Sequence, residues 1–205
     1  HSVPVVNVAL QFDAGYASDA GGKLGTASFA ANMLDEGTAS LDSVQIAQTR
    51  ERLGLNLSTG CGLDACTANA NLLKANMAPS LALLADVVRN PAFRDADIER
   101  LRAQWIAGIG QEKTQPVGLA LRVLPPLVYG AGHPYAIPFS GTGSEADIKA
   151  LTAADLRAWQ SAWLRPDTVR ILVAGDTTLP ELTAQLDAVF GDWQAPAAGK
   201  GAKSI

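Results

Sequence analysis

The order of the secondary-structure patterns constrains this chain more than any single motif does. A strand pattern comes first over residues 3–14, in which apolar residues alternate with polar or small ones (Val6, Val8, Leu10 and Phe12). Two helices (24–34, 43–53), a hairpin (55–59 with 65–73), further helices between 77 and 163, a strand (168–174) and a last helix (179–190) follow. The strands are too few and too clustered for a doubly wound sheet. We therefore expect an α+β fold with helices packed on a mostly antiparallel sheet.

Capping residues predict where several of these helices begin and end. Asp42 stands before the helix at 43–53, and Gly54 follows it in the position that favours a left-handed residue. Thr152 precedes the helix that runs to residue 163, and Asp155 lies three positions further on, as a capping box requires.

Two long helices are predicted between residues 95 and 129. Asp95 is expected to cap the first, which runs to about residue 115. Pro116 is expected to open the second, because proline is favoured in the first helical turn. Pro125 and Pro126 mark a point of disruption in that second helix.

Composition excludes several classes of function. The 205 residues carry a formal net charge of −4, with 48% hydrophobic and 18% charged residues, which is an ordinary globular balance. No basic cluster is present, so we expect no nucleic-acid partner. No apolar run approaches the ~20 residues that span a bilayer. The chain begins without Met or a signal peptide, so we expect a missing upstream segment, together with any targeting signal or membrane association that it provides.

The two cysteines, Cys61 and Cys66, flank the expected hairpin tip at residues 62–65. If the hairpin closes there, the thiols face each other and can form a disulfide. The alternative is a pair of small buried hydrophobic side chains. A disulfide would indicate an oxidising compartment such as a periplasm.

Most familiar catalytic motifs are absent from the sequence. There is no P-loop and no G-x-S-x-G nucleophile motif, and the run from Gly141 to Ser144 lacks the third glycine of a dinucleotide-binding loop. Only His1 and His133 are histidines, and Cys61, Cys66 and His133 have no recognised metal-site spacing. We therefore expect no metal and no cofactor.

One segment nevertheless resembles a known catalytic helix. Residues 25–38, GTASFAANMLDEGT, resemble the signature helix of the pitrilysin/insulinase family of zinc metallopeptidases, of the mitochondrial processing peptidase type. In active members this helix carries H-x-x-E-H. Met33, Leu34, Gly37 and Thr38 keep the ending that follows the motif, and the strand leading to Gly15 is also similar.

The resemblance implies that the zinc site has been erased. The two zinc histidines of the family fall on Ser28 and Asn32, and the general-base glutamate falls on Ala31. The family's third ligand, a glutamate on a later helix, falls near Ile106, and Glu112 is the nearest carboxylate downstream. Serine and asparagine are poor zinc ligands and alanine cannot accept a proton, so we expect no catalytic residue, no metal and no enzymatic activity of the chain on its own.

The similarity continues through most of the chain and predicts one domain. Residues 1–194 are expected to form the inactive peptidase domain, with a truncated start, and residues 195–205 a linker or tail. We interpret the loop around His133 as packed by its aromatic neighbour and Asp13 as a solvated carboxylate. The matching later segments are 90–93, 129–130, 133–135, 141–142, 151–166, 173–176 and 190–193.

In this family two halves enclose a chamber, and an extended peptide adds to a sheet edge inside it. The resemblance implies that this chain is the first domain of the zinc-free half, paired with a second domain of that half and with an active, zinc-bearing half as a heterodimer. Its expected role is to shape the chamber and bind substrate peptide. The alternative is a structural scaffold, as in respiratory core-protein relatives. We expect a bacterial periplasm or cell envelope, with the cytoplasm as the alternative.

Overall fold

The sheet is built around the first strand, β1 (Val5–Phe12). In the computed structural model, which describes residues 4–203, β1 pairs antiparallel with β3 (Cys66–Leu73) on one side and with β4 (Arg170–Gly175) on the other. Strand β2 (Asn56–Cys61) pairs antiparallel with β3, so the order is β2-β3-β1-β4. The predicted α+β fold with an antiparallel sheet is confirmed. The predicted strand start at residue 3, His1 and the last two tail residues lie outside the described residues.

Helices pack against this sheet and supply most of the remaining core. Within residues 4–203 none of them is both long and apolar enough to cross a membrane. The helices are α1 (Thr26–Met33), α2 (Ser43–Leu53), α3 (Met77–Arg89), α4 (Asp95–Thr114), α5 (Pro116–Tyr129), α6 (Glu145–Ala150), α7 (Ala153–Trp163) and α8 (Leu179–Phe190).

The two faces of β1 differ as the sequence alternation predicts. The alternating apolar side chains of β1, from Val6 to Phe12, are completely buried. Helices α1 and α3 contribute Phe29 and Leu84 to the same core. On the opposite face of β1, Asn7 is exposed. A strand with one buried face has a fixed register, because a slip of one residue would turn its apolar side chains to water.

Two expectations about helices α4 and α5 are corrected. Asp95 does not cap α4. It is the first helical residue, after Arg94, where its charge still favours the helix dipole. Helix α5 is not disrupted by Pro125 and Pro126. Pro125 has no N–H to offer the carbonyl of Leu121, and that carbonyl instead accepts the N–H of Phe139 at 2.8 Å.

The short helix α6 was not predicted. It has only six residues, capped by the Ser144 hydroxyl, which accepts the N–H of Asp147 at 3.1 Å. By contrast, the predicted cap at Asp42 and the predicted capping box at Thr152 are present, and Asp42 also forms a capping box, with Gln45.

The described part of the tail packs on the domain. The buried guanidinium of Arg165 donates to the carbonyls of Pro196 and Ala198, at 3.2 and 2.6 Å. The N–H of Gly201 bonds to the carbonyl of Ala162 at 3.0 Å, and the Lys203 ammonium lies 2.8 Å from the exposed Asp13 carboxylate. A domain boundary between residues 194 and 195 stays a prediction.

The hairpin tip carries a disulfide. Cys61 lies directly opposite Cys66 in the β2–β3 register, and their sulfur atoms are bonded. The N–H of Gly62 donates to the carbonyl of Ala65 at 2.8 Å and closes the tip. Of the two interpretations of the cysteines, the structure therefore selects the bridge.

Replacing both cysteines by alanine should lower the free energy of unfolding by about 2 kcal/mol, because the bridge closes only a short loop of the unfolded chain. Urea unfolding of the oxidised wild type and of Cys61→Ala/Cys66→Ala measures the difference. A reductant should destabilise the wild type by a similar amount and leave the variant unchanged. Equal midpoints for oxidised and reduced wild type would show that the bridge contributes nothing to stability.

Candidate functional site

The N-terminus of α1, the helix that resembles the zinc-motif helix, is held by a buried carboxylate. Asp19 accepts the backbone N–H of Gly25 at 2.9 Å and that of Ala27 at 3.1 Å. Gly25 itself has a left-handed φ of 97° and provides no side-chain cap. Asp19 therefore satisfies N–H groups that the first turn of a helix leaves without intrahelical partners.

The environment of Asp19 favours its protonated form. Burial raises the pKa of Asp19 to about 7, although the backbone N–H groups favour the charged carboxylate. The nearby Asp147 carboxylate raises it further. Sequence reasoning did not single out Asp19, because it lies six residues before Gly25 and outside the helical pattern.

The three positions of the zinc motif lie on α1 but offer little metal-binding chemistry. The Ser28 side chain is buried at 7% exposure, and Gly141 packs so closely that a Cβ there would lie 3.0 Å from the Ser28 hydroxyl. Ala31 is buried, and its carbonyl accepts the Thr59 hydroxyl at 2.8 Å. Asn32 is exposed, and its amide donates to the carbonyl of Ser28 at 2.8 Å.

The region of the third ligand is apolar. Ile106 is half-buried on α4 and packs against the core. Next to it, the Trp105 ring makes an edge contact with Phe29 of α1, with centroids 5.5 Å apart. The Trp105 indole N–H donates to the carbonyl of Thr142 at 2.9 Å. This part of α4 therefore holds α1 and the loop before α6 together.

Glu112, the nearest carboxylate downstream, is engaged in an ion pair. One of its oxygens lies 2.8 Å from the Arg122 guanidinium and accepts the Thr142 hydroxyl at 2.9 Å. Arg122 also donates to the Thr142 hydroxyl at 2.8 Å and to the carbonyl of Gly143. The Glu112 carboxylate therefore links α4 to α5 and to the loop that contains Thr142.

His133 lies in an aromatic cluster. Its ring stacks on Tyr129 at a centroid distance of 4.9 Å, and its Nδ1 accepts the N–H of Tyr135 at 3.0 Å. The Tyr135 hydroxyl donates to the Asp64 carboxylate at 2.8 Å. This arrangement agrees with the interpretation of a loop packed by its aromatic residues.

The residues of this region do not fit a zinc ion. A catalytic zinc needs three ligands from His, Glu, Asp or Cys, whereas α1 supplies a hydroxyl and an amide. Both cysteines are bridged, and among residues 4–203 no three or more His, Cys, Asp or Glu side chains are grouped as a metal site would require. No step through a metal follows from this geometry.

Residues 1–125 match the family described as "Insulinase (Peptidase family M16)". The chain belongs to peptidase family M16. Residues 150–204 match the description "Peptidase M16 inactive domain". The family and the inactive-domain character predicted from the signature helix are thereby confirmed.

Several solved structures share this fold. A crystal structure of a peptidase M16 inactive domain from Pseudomonas fluorescens has a TM-score of 0.88 and 31% identity, covering 96% of this chain and 47% of its own. A protease from Helicobacter pylori has a TM-score of 0.88 at 19% identity, covering 99% of this chain and 48% of its own. The periplasmic protease PqqL from Escherichia coli has a TM-score of 0.82 at 18% identity, covering 97% of this chain and 22% of its own.

Two curated relatives differ in what their names say about activity. A Helicobacter pylori protein named as a non-peptidase homolog is 22% identical over 91% of this chain, and a Mycobacterium leprae protein named as an uncharacterized zinc protease is 24% identical over 82%. The chain spans 43% and 37% of their lengths. The inactive-domain match and the non-peptidase relative support a lack of catalytic activity.

The purified chain should bind no stoichiometric zinc, because no three suitable ligands converge at α1. Elemental analysis after equilibration with zinc and desalting measures this, beside a peptide-cleavage assay. Cys61→Ala/Cys66→Ala, equilibrated in the same way, controls for a site made by reduced cysteines. A zinc-to-protein ratio near one that persists in the double variant would show that the assignment of Ser28, Ala31 and Asn32 is wrong.

The stability of the wild type should fall between about pH 4 and pH 7 relative to Asp19→Asn. The folded state keeps the Asp19 proton up to its raised pKa of about 7, whereas the unfolded state loses it near the ordinary value of 3.8. Over this interval the folded state binds more protons, so its stability decreases as pH rises. Urea unfolding of both proteins across pH 4–8 gives the difference. Parallel stability curves for the two proteins would contradict a raised pKa of Asp19 in the folded state.

Proposed function

We propose that this M16 domain is a non-catalytic part of a zinc-peptidase assembly and that it binds substrate peptide beside an active half bearing H-x-x-E-H. The observation that carries the proposal is the contrast between the packing of α1 and its chemistry. Its position and core packing are retained, while Ser28, Ala31 and Asn32 provide neither a zinc ligand set nor a general base.

The sheet offers an edge for such a peptide at β2. The Gly62–Ala65 hydrogen bond sets the alternation of the β2–β3 ladder, in which hydrogen-bonded pairs occur at every second residue. The backbone groups of Leu57, Thr59 and Cys61 therefore point away from β3. An extended peptide can pair with these groups as an added antiparallel strand.

This edge lies beside α1. The Thr59 hydroxyl bonds to the carbonyl of Ala31, so a peptide paired with β2 would run past Ala31 and Asn32. By the resemblance to active members, these two positions correspond to the general-base glutamate and a zinc histidine. Here the β2 edge would hold a peptide without cleaving it.

The disulfide and one structural relative support a periplasmic compartment. A bridge between Cys61 and Cys66 persists in oxidising compartments, and one structural relative is named a periplasmic protease. We therefore place the proposed assembly in a bacterial periplasm. The chain would serve there as the first domain of the zinc-free half, with a second domain of that half and an active half as partners.

Thr59→Pro should weaken peptide binding at least about tenfold, because proline removes an outward N–H without removing a β2–β3 ladder bond. Thr59→Val is the matched control. It loses the same hydroxyl bond to Ala31 but keeps the N–H. Fluorescence anisotropy with labelled peptides from a casein digest measures both, after circular dichroism has confirmed that both variants fold.

Equal affinities for Thr59→Pro and Thr59→Val would exclude pairing at the β2 edge. Absence of peptide binding by the wild type, with or without an active M16 partner, would favour the scaffold role. Cleavage of the peptide by the chain alone would overturn the non-catalytic assignment.

A further inference from the structure

Helix α5 is apolar on nearly all sides and yet lies at the surface. Its only charged residue is Arg122, and of its fourteen residues only Pro125 is buried. A helix that is hydrophobic all round is normally buried. Its exposed large apolar side chains form what we call the α5 face: Val117, Leu119, Leu121, Val123, Leu124, Leu127, Val128 and Tyr129.

The underside of α5 is fixed to the domain. Arg122 turns inward to Glu112 and the Thr142 hydroxyl. Gly118 packs against the end of α4, where a Cβ would lie 2.5 Å from the carbonyl of Glu112. The α5 face is therefore presented in a defined orientation, since the helix cannot rotate its apolar side inward without breaking these contacts.

The α5 face is large enough for a stable interface. Side chains of these types expose on the order of 150–200 Å² each when fully accessible, so their exposed fractions amount to roughly 700–800 Å². That area exceeds the largest apolar patch of most monomers, and it is about one partner's share of a standard interface. A cavity of about 180 Å³ between Leu124, Val128, Tyr129 and Phe139 gives the partner a place to insert one large apolar side chain.

We propose that the α5 face is the docking surface for a second domain of the M16 fold. The relatives provide the reason for this occupant. This chain covers only 47% of the P. fluorescens inactive-domain protein, and the curated relatives are more than twice as long as this chain. Because the α5 face presents no charge, its partner must offer an apolar surface of domain size. This inference rests on family membership and not on peptide binding at β2.

The test uses the part of the P. fluorescens protein that lies beyond the match, co-expressed with this 205-residue chain so that neither must fold alone. Sedimentation velocity should show a one-to-one complex. Leu124→Asp/Leu127→Asp should weaken it at least about a hundredfold, because two charges would be buried against an apolar partner. Leu179→Asp is the matched control. Leu179 and Leu127 are both 76% exposed, but Leu179 lies on α8.

Loss of the complex in the double variant, with retention in Leu179→Asp, supports the docking surface. Three results would overturn it: no complex with the wild type, a complex that the double variant forms equally well, or homodimers of this chain that use the α5 face and exclude the probe. Flotation of the wild-type chain with phospholipid vesicles, abolished by the double variant, would assign the face to a membrane instead. None of these outcomes changes the expected Thr59→Pro result, so the two proposals fail separately.

Discussion

The rest of the site region depends on the close backbone contact between the start of α1 and the loop before α6. Gly25 and Gly143 both have left-handed φ angles, of 97° and 73°. A Cβ on Gly25 would lie 2.8 Å from the carbonyl of Thr142, and one on Gly143 would collide with the backbone of Leu24. Only glycine satisfies both the conformation and the space. With Asp19 bonded to the first N–H groups, this contact fixes the direction of α1 whatever side chains the helix carries.

Because the direction of α1 does not depend on the zinc-motif side chains, an M16 domain can lose those side chains and keep its fold. Phe29, Ala30 and Met33 of α1 are completely or almost completely buried in the core, whereas the zinc-motif positions contact the Gly141 loop, the β2 edge and solvent. The small side chains at those positions fit beside these neighbours and leave the apolar side of the helix unchanged. They also remove the need to hold charged or metal-binding groups in a partly buried place, which is expensive in the absence of the metal.

Local signals in the sequence predicted the parts of the fold that local interactions determine. The β1 alternation and the caps of α2 and α7 are of this kind, because a strand face or a capping box needs only neighbouring residues. The groups that were missed act across the chain. Asp19 reaches α1 through a loop, and the Leu121 carbonyl that Pro125 leaves free is satisfied by Phe139, eighteen residues away. The disulfide was left open for the same reason, since it depends on the β2–β3 register.

The same loop connects the site region with the α5 face. The Thr142 carbonyl accepts the indole N–H of Trp105. The Thr142 hydroxyl bonds to both members of the Glu112–Arg122 pair. Gly143, next in sequence, packs on the start of α1. A shift of α5 must therefore break the half-buried ion pair or move the loop that positions α1. Breaking such a pair leaves a charge without its partner, which costs more than a small displacement of the loop. A neighbour that covers α5 would thus stabilise the position of α1, and with it the β2 edge, without touching either.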